Sequence, residues 1–108
     1  MPKAKKIKLV VFVPTSHLEK VRQAICGAGA GRLGNYDNCT FISQGIGTFR
    51  PLPGAKPHLG QVGILTRVKE ARVETIVFKK DLRAVVKALK QAHPYEEIAY
   101  DVIPLLDN

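Results

Sequence analysis

His93-Pro94-Tyr95-Glu96-Glu97 gathers an imidazole, a phenol and two carboxylates into consecutive positions. Imidazole nitrogen and carboxylate oxygen both ligate divalent ions, and a turn at Pro94 would let these side chains converge. Cys39, in Tyr36-Asp37-Asn38-Cys39-Thr40-Phe41, adds a thiol, so Cys39, His93, Glu96 and Glu97 form a candidate metal set. The plainer reading has His93 closing a helix, Tyr95 packing, and both glutamates facing water or pairing with lysines. Cys39 is then a small half-buried thiol. No HxxxH, HExxH or CxxC supplies a second dependable ligand pair. Arg50, closing Gly45-Ile46-Gly47-Thr48-Phe49-Arg50, could bind an anion or pair with an acid across an interface.

Gly29-Ala30-Gly31-Arg32-Leu33-Gly34 spells G-x-G-x-x-G. A dinucleotide-binding turn of that pattern follows a strand and opens a helix. Here the order is reversed: an amphipathic helix comes before, and Asn35-Tyr36-Asp37-Asn38 follows with turn chemistry. The glycines therefore read as a helix end running into a turn, where positive φ costs least. The alternative is a loop whose backbone N–H groups, with Arg32, cradle an anion. No serine–histidine–acid or cysteine–histidine arrangement has supporting context, and no phosphate loop occurs, which disfavours an enzyme acting alone. His17 and His58 stand singly and are expected at the surface; Cys26 falls on a buried helix face.

The elements that must position these groups follow from periodicity. Ile7–Val13 is β-branched and aromatic, and Pro14 ends it. Ser16 and Glu19 spell a capping box, with Leu18, Val21, Ile25 and Ala28 at helical spacing. An extended segment opens at Thr40–Ile42 and continues to Arg50. PLPGAKPHLG, residues 51–60, is a loop. Extended structure returns at Gly63–Val68 and at Arg72–Phe78, with a turn or bulge at Lys69-Glu70-Ala71. Asp81 caps a helix carrying Leu82, Val85, Val86 and Leu89 at i, i+3, i+4 and i+7, and His93-Pro94 ends it. Ile98–Ile103 is the last strand. Strand–helix–strand twice over predicts an α+β, ferredoxin-like split β-α-β sandwich, with extended sequence enough for a lengthened central β-hairpin.

A chain of 108 residues with 45% hydrophobic content is expected to be one domain over 1–108, with 1–6 a flexible basic tail. No apolar run is long enough to span a membrane, and a cytoplasmic location with reduced cysteines is expected. The net charge of +8 is lopsided: residues 1–69 hold 11 Lys/Arg against 2 acids, residues 70–108 hold 6 against 7. Such a field attracts anions, but no recognition helix or aromatic-interleaved pattern accompanies Lys3, Lys5, Lys6 and Lys8, so nucleic acid is the weakest partner reading.

Three blocks in order carry a family resemblance: Gly29–Phe41, Gly45–Pro51 and Ala92–Asp101. They resemble the YqfO-type domain, which sits as an insert in longer Nif-three-like proteins bearing a type-two GTP cyclohydrolase I-like label. His93-Pro94-Tyr95-Glu96 is also similar to a segment of the CutA divalent-cation-tolerance family, which shares the PII-like version of the fold. The resemblance implies a non-enzymatic PII/CutA-like homo-oligomer, a trimer, that binds a divalent metal ion or small ligand in regulation or metal homeostasis. The alternative is a module that caps or regulates a protein partner. On the resemblance, His93, Glu96 and Glu97 match the shared block, and Tyr36, Cys39 and Arg50 match the other two; Arg32, Tyr36 and Arg50 are the candidate ligand contacts. The longer relatives' two-metal site has no counterpart here, so a cyclohydrolase activity does not carry over. Long glycine-containing strands with little charge leave sheet edges that sister copies would complete.

Overall fold

A computed structural model describes residues 5–106. Its strands are β1 (Lys6–Pro14), β2 (Thr40–Phe49), β3 (Thr66–Phe78) and β4 (Tyr100–Pro104); its helices are α1 (Leu18–Gly27) and α2 (Leu82–Ala92). All neighbouring strands are antiparallel, in the order β2-β3-β1-β4. This is the ferredoxin-like α+β sandwich, with β1 and β3 side by side at the centre. Strand alternation decides the two faces. Ile7, Leu9, Val11 and Val13 of β1 and Ala71, Val73 and Val77 of β3 are buried with Val21, Ile25, Val85 and Leu89 of the helices. The opposite face carries Phe12, Glu70, Arg72 and Glu74, in register across the sheet as Phe12↔Arg72 and Val10↔Glu74.

Several boundaries differ from expectation. The extended stretches on either side of Lys69-Glu70-Ala71 form one thirteen-residue strand, without a turn or bulge. The reason is pairing on both sides: Glu70 faces Gly45 on β2 and Pro14 on β1, and Ala71 is fully buried between Gln44 and Val13. Gly63–Leu65 remains in the loop. The last strand starts at Tyr100 rather than Ile98, although Ala99 already accepts the Phe12 N–H at 3.1 Å. The basic tail expected over 1–6 ends sooner, because Lys6 pairs with Phe78 and Lys8 with Ile76; residues 1–4, with Lys3, lie outside the described residues.

Neither expected helix cap forms. A 3-10 turn, Thr15–His17, leads into α1, and Ser16 Oγ bonds His17 Nδ1 at 2.9 Å instead of a backbone N–H. Glu19 turns outward to Arg22 at 2.7 Å. Ser16→Ala is accordingly expected to change stability by less than about 0.5 kcal/mol, against about 1 kcal/mol for loss of a true cap; urea denaturation measures the difference. Asp81 likewise makes no cap bond, and its buried Oδ2 has no hydrogen-bond partner among the described residues.

The extents are 46 × 29 × 22 Å, and the β2–β3 ladder runs from Thr40↔Thr75 to Phe49↔Thr66. At its far end and along edge strand β2, Phe41, Ile46, Ile64 and Leu65 are all more than half exposed.

Candidate functional site

The glycine run answers its sequence reading. It leaves α1, passes positive φ at Gly29, Gly31 and Gly34, and delivers the chain to β2. Gly31 N–H donates to Ile76 O at 2.8 Å, and Gly31 O accepts Cys39 N–H at 2.9 Å, which extends the β3 ladder past Thr40. These backbone groups serve the fold, and the order helix–turn–strand is not a dinucleotide turn. Arg32, exposed, lines a hollow of about 370 Å³ with Lys8, Cys39, Thr40 and Thr75. Tyr36 is 75% exposed and closes the small turn with Leu33.

A larger cleft of about 590 Å³ lies at the opposite end of the β2–β3 ladder, a size common for small-ligand sites. Its floor is Phe12, Gly47, Phe49 and Glu70 on the helix-free face; its walls are the proline loop, with Leu52 and His58, and the segment Tyr95–Glu97. The proline loop is tied down: Lys56 N–H donates to Glu96 Oε1 at 2.8 Å, and Gly63 N–H to Pro51 O at 2.8 Å. Tyr95 OH donates to Glu70 Oε2 at 3.2 Å. Burial first, and then the neighbouring Glu70 charge, push the Tyr95 pKa up to about 12, so the phenol stays protonated. A Cβ on Gly47 would overlap the Glu70 carboxylate, so this glycine is what admits the side chain to the floor.

The four residues of the candidate metal set are not brought together. Glu96 and Glu97 line the cleft, whereas Cys39 sits in the Arg32 hollow beside Thr75. From Thr75 to Glu70 is five steps along β3, roughly 16 Å of strand. His93 is buried under the cleft, with Nε2–H donating to Phe12 O at 2.8 Å and Nδ1 accepting Tyr95 N–H at 3.2 Å. That pairing defines one neutral tautomer and leaves no lone pair for an ion. Burial pushes its pKa below the ordinary value, with the Phe12 bond opposing. Among the described residues no three His, Cys, Asp or Glu side chains are grouped closely enough to hold a metal. Arg50 lines the cleft mouth, separate from Arg32 and Tyr36.

Sequence reasoning gave no site role to Phe12, Phe49, His58, Glu70 or Gly47. His17 and His58 are not single: their rings meet edge to face at 5.4 Å, with His17 half-buried. The signal within reach was β3 alternation, which puts Glu70, Arg72 and Glu74 on one face once the turn at 69–71 is removed.

No family model matches the chain. It is 51% identical over 98 residues to the GTP cyclohydrolase 1 type 2 homolog of Bacillus subtilis, covering 91% of this chain and 26% of that protein. The chain thus spans about a quarter of the length of the curated relatives it matches. Among solved structures, a Bacillus cereus protein related to NIF3 superposes with a TM-score of 0.83 at 50% identity, over 99% of this chain and 27% of that one. CutA1 from Shewanella sp. SIB1 has a TM-score of 0.70 at 13% identity, over 99% and 87% of the two chains. Arabidopsis thaliana PII has 0.62 at 15%, over 97% and 79%, and at such identities the likeness is one of fold. By sequence the chain is thus similar to one segment, about a quarter, of NIF3-related proteins, and its architecture is the ferredoxin-like fold seen in CutA1 and PII.

Proposed function

We propose that the chain is a non-catalytic PII/CutA-like unit that assembles as a homotrimer and binds a small ligand in a regulatory or metal-homeostasis role. The carrying observation is the cleft over Phe12, Phe49 and Tyr95: mostly apolar, with a few polar groups aimed inward and its loop wall tied to Glu96. Assembly is supported by the bare edge of β2, where Phe41 is 66% and Ile46 56% exposed, because unpaired edges with apolar side chains favour pairing between copies. Light scattering at micromolar concentration is expected to give three times the 11.9 kDa chain mass. Phe41→Glu with Ile46→Lys is expected to return the chain to a monomer, since charges on both flanks of the edge resist burial. A wild-type monomer would remove the assembly.

Binding is tested by calorimetry with small organic ligands and, as a separate arm, zinc and copper. Glu97→Ala distinguishes ion binding at the cleft mouth from binding over the aromatic floor. The match to a quarter of longer relatives favours a second reading, a module that caps or regulates a protein partner. A stoichiometric complex competing with the Phe41 and Ile46 surface would support it.

A further inference from the structure

We propose that the cleft takes a small organic cation, an ammonium or guanidinium on a flat or aliphatic body, with Glu70 as its counter-charge. This rests on the cleft being a ligand site and names the chemical class. The observation is a mismatch of charge. The chain carries 17 Lys/Arg against 9 acids, yet Glu70, half-buried on the cleft floor, forms no ion pair among the described residues. Its one hydrogen bond there comes from a neutral phenol, Tyr95, at 3.2 Å. A carboxylate withdrawn from water without a cation is costly and attracts one.

The surroundings suit such a guest. Phe12, Phe49, Tyr95 and His58 line the same cleft as Glu70, with the Phe49 and Tyr95 centroids 5.9 Å apart and those of His58 and Tyr95 6.3 Å apart. Aromatic faces stabilise cations held within about 6 Å of the ring centre. The sheet already uses this device: the Arg72 guanidinium lies 5.8 Å from the Phe12 ring centre. Arg72, two residues from Glu70 on the same face, is engaged by Glu74 at 3.5 Å. Gly47 leaves room for the carboxylate. Glu96 and Glu97 add negative charge at the rim, and among the described residues Arg50 is the one Lys or Arg in the lining.

The test compares three probes of like shape on the full chain: phenethylammonium, 2-phenylethanol and 3-phenylpropionate. Binding is followed by calorimetry and located by the amide signals of Gly47 and Glu97. Phenethylammonium is expected to bind at least about tenfold tighter than the alcohol, the cost of leaving a charged hydrogen bond unmade. Glu70→Gln is expected to erase that preference, and an unchanged urea-denaturation midpoint shows that the variant is folded. Equal binding of all three, or preference for the anion through Arg50, would overturn the cation and leave the cleft standing as a ligand site. Failure of all three at millimolar concentration would overturn both.

Discussion

Gly31→Ala is expected to destabilise the domain by about 3 kcal/mol or more, with a corresponding loss of denaturant midpoint. Two effects add. Gly31 has φ +79°, a left-handed conformation that costs an L-residue about 1 kcal/mol or more. A Cβ there would also stand 2.7 Å from Cys39 N and 2.9 Å from Cys39 O, and these backbone atoms have little freedom to retreat. Cys39 N–H is bonded to Gly31 O, and Cys39 O accepts Thr75 Oγ1–H at 2.8 Å. Relief would have to pull the start of β2 off β3. Gly34→Ala separates the two effects: its φ is +56°, but nothing lies within 4 Å of the added carbon. It is expected to cost about 1 kcal/mol, the conformational part alone. Equal losses for the two variants in urea denaturation would show that the contact with Cys39 contributes nothing.

His93→Ala is expected to cost about 2–3 kcal/mol, because it removes both imidazole hydrogen bonds and leaves Phe12 O and Tyr95 N–H to find partners at a buried site. The same residue imposes a pH dependence whose sign follows from its environment. Burial holds the folded imidazole below its ordinary pKa, and the bond to Phe12 O only partly offsets this. Below the ordinary value, about pH 6.5, the unfolded chain takes up a proton that the folded chain refuses. The His93 contribution is therefore intact above that pH and declines as pH falls toward the lower folded pKa, by up to about 1.4 kcal/mol per pH unit. In His93→Gln the side-chain amide can still donate to Phe12 O but does not titrate. Denaturation of both proteins between about pH 5 and 8 is expected to show a shallower acid decline for the variant. Parallel profiles would mean that protonation of His93 is not what weakens the fold in acid.

The residue that looked most like a metal ligand has both ring nitrogens engaged by the backbone within this chain, and the reason lies in its partners. His93-Pro94-Tyr95-Glu96-Glu97 presents its chemistry in a line, but a helix end fans such a line out. His93 turns under Phe12, Tyr95 reaches across to Glu70, and the two glutamates stay at the rim. Likewise, Ser16 and Glu19 have the spacing of a cap, yet the 3-10 turn before α1 rotates Ser16 away from the helix N–H groups.

Apart from the turn it put inside β3 at 69–71, spacing alone was enough to determine the kind and order of the helices and strands. Leu82, Val85 and Leu89 can share a face only on a helix, Ile7, Leu9 and Val11 only on a strand, and a helix placed before Gly29 rules out a dinucleotide turn. These are consequences of where each residue's own backbone points its side chain, so they are written within a few residues. The cleft is different. Phe12, Gly47, Glu70 and Tyr95 meet because β1, β2 and β3 pair in one register and the proline loop folds back onto Glu96. A shift of one residue in either pairing would send Glu70 to the other face. That register is settled by burial summed over the whole sheet, and only the tertiary structure could decide it.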